Sequence, residues 1–299
     1  MSQVEVSVVV PTRDRAKALD ACLEALAAQS LHADRFEVIV ADDGSREPVA
    51  PRLASWRTRI AISDVRTTGA GPAAARNAGS AAARGAYLAF TDDDCVPGPG
   101  WLQALLAALR RRPGALVGGR TINLLRGNPA PEASQLIADV AYDYYNADAE
   151  HARFFSSNNL ACDAAVFRGL GGFDAAFRTS EDRDLCDRWR ASERALVFAP
   201  DALVGHAHRM GLAGFIRQHV GYGRGAYRFM RAHRARAAGG STLESGFYTG
   251  LLPRIARLIR GRQNQPTLWA LLIVWQVANT AGFCLEWVAK RAARQAVSA

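Results

Sequence analysis

Three short apolar runs, Glu5 to Val10, Phe36 to Ala41 and Tyr87 to Phe90, each end in a polar turn, and helical spacing fills stretches between them. After the first run, Pro11-Thr12-Arg13-Asp14-Arg15 makes the turn. Apolar residues then recur at Leu19, Cys22, Leu23, Leu26 and Ala27, the spacing of one helix face. Arg59 to Val65 reads as a further strand. Strand and helix in alternation imply a mainly parallel sheet with right-handed crossovers. Ligands of such sheets collect beyond the carboxyl ends of the strands. Thr12, Arg13, Asp42 and Asp43 stand at those ends.

The run at Tyr87 delivers Thr91-Asp92-Asp93-Asp94-Cys95, three consecutive carboxylates with no basic residue among them. Adjacent like charges disfavour their own ionised forms, and a divalent cation relieves that. Asp92 and Asp94, two apart on an extended segment, point the same way and are placed to share Mg²⁺ or Mn²⁺ with a phosphate-bearing substrate. An acidic turn closing a strand is the other reading of this pentapeptide. Upstream, Gly69-Ala70-Gly71-Pro72 opens an alanine-rich helix, with Arg76 about one turn in. Such an entry either presents N–H groups to phosphate or simply starts a helix.

Further along, Pro99 to Arg111 reads as a helix and Leu116 to Leu124 as a strand. Residues 126 to 156 are loop-rich, with a helix over Glu132 to Tyr145 that is a candidate cap. Gly171-Gly172-Phe173-Asp174 reads as a tight turn under an aromatic anchor. A second acidic group, Glu181-Asp182-Arg183-Asp184, also suits the first turn of a helix begun at Ser180. His206 and His208 fall on the same side of an extended segment, as ligands or as surface residues.

The 299 residues are 49% hydrophobic, enough for a sizeable core, and carry a formal net charge of +9. Arginine supplies that excess, since Lys17 and Lys290 are the only lysines, and it is concentrated after residue 217. A basic C-terminal third points to an anionic partner. No motif or interleaved aromatic platform supports nucleic acid over a lipid surface. Cysteines 22, 95, 162, 186 and 284 form no CxxC or other metal-ligand spacing and read as reduced thiols. With no secretory leader ahead of Val4, the expected location is cytoplasmic.

Taken in order, Ser7-Val8-Val9-Val10-Pro11-Thr12, Asp42-Asp43-Gly44-Ser45, Ala75-Arg76-Asn77-Ala78-Gly79, Asp92-Asp93-Asp94, Gly171-Gly172-Phe173-Asp174 and Glu181-Asp182-Arg183-Asp184-Leu185 resemble the family 2 inverting glycosyltransferases. The resemblance, to bacterial members of non-processive type, covers roughly residues 4 to 225. It implies an α/β GT-A nucleotide-sugar transferase fold, a mainly parallel Rossmann-like sheet flanked by helices. The implied catalytic domain is 1–225, with a nucleotide-binding half at 1–95 and an acceptor half at 96–225. Pro11, Thr12 and Arg13 would line the nucleotide pocket, Asp42 or Asp43 would accept from the base, and Arg76 would face nucleotide or diphosphate. Asp92, Asp93 and Asp94 match the family's DxD region, with Asp92 and Asp94 as metal ligands, and His206 resembles a further metal contact. Asp182 falls where the family keeps its catalytic base. The implied reaction moves a sugar from a UDP- or GDP-sugar, with Mg²⁺ or Mn²⁺, to a glycan or lipid-linked acceptor hydroxyl with inversion.

Processive members carry Gln-x-x-Arg-Trp, whereas this chain has Gln218-His219-Val220-Gly221-Tyr222-Gly223-Arg224-Gly225, which points to addition of one or few sugars. The glycines Gly221, Gly223 and Gly225 are expected to bend the helix they sit in. Residues 226–299 read as a helical, basic extension with a break at Gly239-Gly240-Ser241. Within it, Leu268 to Ala289 gives 22 mostly apolar residues. At 100° per residue, Gln276, Asn279, Thr280, Glu286, Lys290, Arg291 and Arg294 fall in an arc of about 140°. An amphipathic helix lying on the cytoplasmic face of the inner membrane is therefore expected, ahead of a helix packed on protein or a true span. Two other readings are a catalytically inactive nucleotide-sugar-binding protein, which the presence of both acidic groups disfavours, and a sugar-nucleotide pyrophosphorylase, whose glycine-rich loop is missing after Val10.

Overall fold

The computed structural model describes residues 4–236 and 245–298, so the expected break at Gly239-Gly240-Ser241 lies outside the described residues. The chain forms two compact units. The first comprises residues 1–124, 145–176 and 181–207; the second comprises 125–144, 177–180 and 208–299.

In the first unit, β1 (Val6–Thr12), α1 (Ala16–Ala27), β2 (Phe36–Asp42), β3 (Ile62–Arg66), α2 (Pro72–Ala82) and β4 (Tyr87–Thr91) follow the alternation read from the sequence. Then come β5 (Cys95–Pro97), α3 (Trp101–Arg111) and β6 (Leu116–Asn123). The second unit interposes α4 (Pro129–Tyr145), after which β7 (Asn159–Asp163), α5 (Ala164–Gly169), α6 (Glu181–Ala191) and β8 (Leu196–His206) complete the first. The eight strands make one sheet in the order β3-β2-β1-β4-β7-β6-β8-β5. Strands β1 to β4 pair only in parallel among themselves, whereas β7 runs antiparallel to both β4 and β6, and β5 antiparallel to β8.

Every residue of β1 and β2 is buried, which is why these strands read as continuous apolar runs rather than as alternating ones. Helix α2 lies tight against β1: a Cβ on Gly79 would meet Val9 Cγ1 at 2.5 Å. On the other side of the sheet Leu19, Leu23, Leu26, Trp101, Leu105 and Leu109 form the main core with Val8, Val10 and Val38.

The second unit is helical, with α7 (Leu212–Arg236), α8 (Ser245–Thr249), α9 (Leu251–Ile259) and α10 (Gln265–Ser298) beside α4. Its core joins Leu136 and Val140 of α4, Phe215 of α7, Ile255 and Ile259 of α9, and Leu268, Leu272 and Trp275 of α10. The glycines do not interrupt the helix, and α7 runs unbroken through residue 225. The glycines serve close packing instead: a Cβ on Gly223 would meet the Asn279 carbonyl oxygen at 1.9 Å, and one on Gly282 the Val220 oxygen at 2.0 Å. A Cβ on Gly225 would meet the Thr179 hydroxyl at 2.3 Å and its carbonyl oxygen at 2.7 Å. Burial against α10 more than offsets the weak helix propensity of glycine.

The orientation of α10 also departs from expectation. Glu286, placed on a polar arc facing water, is 5% exposed and accepts from Arg228 Nε at 2.8 Å. Ile273, Val277, Leu285 and Val288 are instead more than half exposed. A carboxylate that gains an arginine partner can turn inward, whereas Gln276, Thr280, Lys290 and Arg291 of the same arc stay exposed. Among the described residues, Gln265–Ala292 is one helix long and apolar enough to cross a membrane by length and composition.

Candidate functional site

Strand register assembles most of the site. In the parallel pair β1 and β4, Val9 stands opposite Phe90, so three residues on Thr12 is level with Asp93. Thr12 Oγ1 donates to Asp93 Oδ2 at 2.7 Å. In the antiparallel pair β5 and β8, Cys95 stands opposite His206. The Ala207 N–H donates to the Asp94 carbonyl at 2.8 Å, and His206 Nε2 lies 3.2 Å from Asp94 Oδ1.

The self-repulsion of the three aspartates is answered by two arginines. Arg15 Nη1 lies 3.2 Å from Asp93 Oδ1 and 2.8 Å from Asp94 Oδ2. Arg76 Nη2 donates to Asp92 Oδ1 at 2.6 Å, and its Nη1 donates to Glu181 Oε1 at 3.0 Å. The Arg76 side chain is only 4% exposed and lies over the Phe173 ring, 5.6 Å from its centroid. Arg76 therefore joins the two acidic groups, reaching Asp92 across 16 residues of chain and Glu181 across 105.

Protonation follows from burial and these pairs. Burial raises the Asp93 pKa to about 6 against the opposing Thr12 hydrogen bond and Arg15 charge. Burial alone would lower the His206 pKa, but the Asp94 hydrogen bond and charge outweigh it and the net shift is upward. Burial and the nearby Asp92 and Asp94 charges hold the Cys95 thiol well above its usual range. Ligand atoms of Asp94, Cys95 and His206 lie within 4.8 Å of one another. Because Cys95 keeps its proton, the donors suited to a hard divalent cation are the Asp94 carboxylate and the His206 imidazole, with Asp92 close by in the chain. Oxygen and imidazole donors fit Mg²⁺ or Mn²⁺.

The second acidic group opens α6. Asp182 Oδ1 accepts from the Arg183 N–H at 2.7 Å, and the carboxylate also accepts from the Ser157 backbone. Burial, and then the neighbouring Glu181 charge, raise the Asp182 pKa to about 7. A carboxylate poised near neutrality is suited to proton abstraction.

Other motif residues hold the site's walls. Asp184 is buried and pairs with Arg188 at 2.7 Å, and Arg188 donates to the carbonyls of Leu170 and Gly172. Asn77 of α2 closes the same turn from the other side, donating to the Phe173 carbonyl at 2.7 Å and accepting from its N–H at 2.9 Å. Asp42 is 1% exposed and accepts from the Ser45 N–H and from Arg66. Asp43 accepts from Thr67 Oγ1 and from the Gly71 N–H, so that N–H of the glycine-rich entry is taken by protein. Gly71 has φ 103, the left-handed region open to glycine, which lets the loop turn back onto Asp43. Pro11 is buried at the end of β1, and Arg13 is exposed, 3.8 Å from Asp43.

Asp92, Asp93, Asp94, Arg76 and His206 are thus brought together around residues quoted in the sequence reading, whereas Asp42 and Asp43 form a neighbouring loop support. His208 does not share a strand face with His206, because β8 ends at His206. Arg15 was missed. It sits in the turn Pro11 to Arg15, three residues beyond Thr12, and the linear order holds no sign that it reaches residues 93 and 94.

The model for the family described as "Glycosyl transferase family 2" matches residues 7–171. The chain is 33% identical over 227 residues to the pre-mycofactocin glycosyltransferase of Mycobacterium tuberculosis, covering 74% of this chain and 47% of that one. It is 36% identical over 200 residues to the validoxylamine A glucosyltransferase of Streptomyces hygroscopicus, covering 58% and 47%. The chain thus spans about half the length of these curated relatives. Among solved structures, the mannosyltransferase PcManGT of Pyrobaculum calidifontis, in complex with GDP-Man and Mn²⁺, superposes with a TM-score of 0.64 at 19% identity, covering 98% of this chain and 81% of that one. S. aureus TarS 1-349 with UDP-GlcNAc gives 0.61 at 17% identity, covering 92% and 81%. These likenesses establish the GT-A fold. With the family match covering more than half of the residues, the chain belongs to the family 2 glycosyltransferases.

Proposed function

We propose that the protein transfers a sugar from a UDP- or GDP-sugar to an acceptor hydroxyl with inversion at the anomeric carbon, one or few sugars at a time. The observation that carries this reading is the Arg76 bridge, which makes the Asp92 and Glu181 groups one site rather than two. Asp94, Asp92 and His206 would hold Mg²⁺ or Mn²⁺. A bound divalent cation stabilises the charge that develops on the leaving nucleoside diphosphate. Asp182 takes the proton of the acceptor hydroxyl as that oxygen attacks, and a single displacement inverts the centre. Thr12 and Arg13 line the nucleotide pocket, and Asp43 holds the adjoining loop. The names of relatives that act on glycosyl acceptors and of neighbours seen with GDP-Man and UDP-GlcNAc support the donor class.

The acceptor is a glycan or a lipid-linked sugar, and the protein works on the cytoplasmic face of a membrane. Support for the membrane comes from the outward apolar face of α10, with Trp287 exposed near one end and Lys290 and Arg291 following it. The transfer reading is tested by thermal stabilisation with GDP or UDP, with and without Mn²⁺. Stabilisation that requires Mn²⁺ and survives in Asp182→Asn, with transfer lost, is the expected result; full transfer by Asp182→Asn would remove Asp182 as the base. Membrane attachment is tested by flotation with anionic vesicles, and failure to float at low salt counts against it.

A further inference from the structure

The second unit contains a cavity of about 650 Å³ lined by His208, Arg209, Met210, Arg217, Gln218 and Tyr222, with the backbone of the first turn of α7 completing its wall. No carboxylate is among its lining residues. Arg209 and Arg217 are exposed, and among the described residues neither has a carboxylate partner. Two guanidinium groups left to one cavity are planar, forked donors of the kind that match phosphate oxygens.

The remaining wall is built for a different chemistry. Gln218 Nε2 donates to the Tyr222 hydroxyl at 2.7 Å, and the buried Gln218 Oε1 has no hydrogen-bond partner. The Tyr222 ring is 42% exposed and is held edge-on by His219, with ring centroids 5.5 Å apart. His219 is 2% exposed, and burial lowers its pKa to about 4, so it supports the ring as a neutral group. One cavity therefore offers two cationic forks and a fixed aromatic face on which a sugar ring can lie.

We infer that this cavity binds a phosphorylated sugar, its phosphate held by Arg209 and Arg217 and its ring by Tyr222, which Gln218 positions. The ligand is either a free sugar phosphate or the head of a lipid-linked one, and this assignment stands apart from the transferase reading. This also assigns the stretch Gln218 to Gly225, where Tyr222 lines the cavity and Gly223 lets α7 lie close to α10.

The test is calorimetric titration of the full-length protein with α-glucose 1-phosphate, and, in a second arm, flotation with phosphatidylcholine vesicles with and without a minor fraction of polyprenyl phosphate. Binding by the wild-type protein, weakened roughly tenfold or more in Arg209→Glu/Arg217→Glu, is the expected result, a loss of about 1.4 kcal/mol. Tyr222→Ala should weaken the sugar phosphate but not the vesicle phosphate. Preference for the first or second probe tells a free from a lipid-linked source. Melting curves and GDP or UDP binding by the same variant provide the control. The inference is overturned if the wild type binds neither probe, if the charge-reversed variant binds both unchanged, or if it loses nucleotide binding to the same extent. Sugar phosphate binding by a wild-type protein that binds no nucleotide would remove the transferase reading and leave the cavity assignment standing.

Discussion

Arg76 Nη2 donates to Asp92 Oδ1 at 2.6 Å from a side chain that is 4% exposed, so the acidic triplet is tied to the body of the domain by a buried cation. Removing that cation leaves Asp92 and Glu181 facing each other without their shared partner. Arg76→Ala is expected to destabilise the protein by about 3–5 kcal/mol, the cost of breaking a buried pair from one side. Arg76→Lys should recover only part of it, because a point charge cannot reach both carboxylates with the geometry of a fork. Chemical denaturation followed by fluorescence measures both, and a loss below about 1 kcal/mol for Arg76→Ala would contradict the bridging role.

The raised pKa of Asp182 sets a direction for the pH dependence of transfer. The base acts as carboxylate, so below about pH 7 the protonated fraction grows and the rate falls, approaching tenfold per pH unit on the acid side. Glu181→Gln removes a negative neighbour that disfavours ionisation of Asp182, and the acid limb should move to lower pH. Transfer rates across the acid range in both proteins give the limbs. An unmoved limb in Glu181→Gln would show that another group governs it.

His206 has its pKa raised by Asp94, and its stabilising pair is fully present below the unfolded value and lost as pH rises through the folded one. Metal ligation needs the neutral ring, so Mn²⁺ and the proton compete. Mn²⁺ affinity is expected to fall as the solution is acidified, and His206→Ala should bind more weakly with a flatter pH dependence. Titration followed by Mn²⁺ electron paramagnetic resonance reads both.

Gly223 and Gly282 mark where α7 and α10 touch through their backbones. Gly223→Leu or Gly282→Val should destabilise the second unit by about 1–3 kcal/mol or more, because the neighbour each side chain would meet is backbone. Gly169→Ala, with nothing within 4 Å of the added Cβ, is the matched control and should stay near neutral. Limited proteolysis and circular dichroism melts distinguish the three.

Much of this molecule is legible in one dimension. Strands β1, β2 and β4 announce themselves because burial on both faces demands continuous apolar runs. The acidic groups stand out because three adjacent carboxylates need an external cause. Helices α1 and α3 follow from apolar spacing. The glycines of α7 were misread, because local propensity counts what glycine costs a helix and holds no record of the second helix that needs the space.

What the sequence by itself determined is therefore the set of elements, their order and the acidic chemistry at the strand ends, all properties of neighbours in the chain. Tertiary structure alone decided which cation each acid took. Arg15 reaches Asp94 across 79 residues and Arg76 reaches Glu181 across 105, through strand register and helix packing that no local pattern encodes. It decided the burial of Glu286 for the same reason: its Arg228 partner lies 58 residues away, while Gln276, Thr280, Lys290 and Arg291 of the same arc stay exposed.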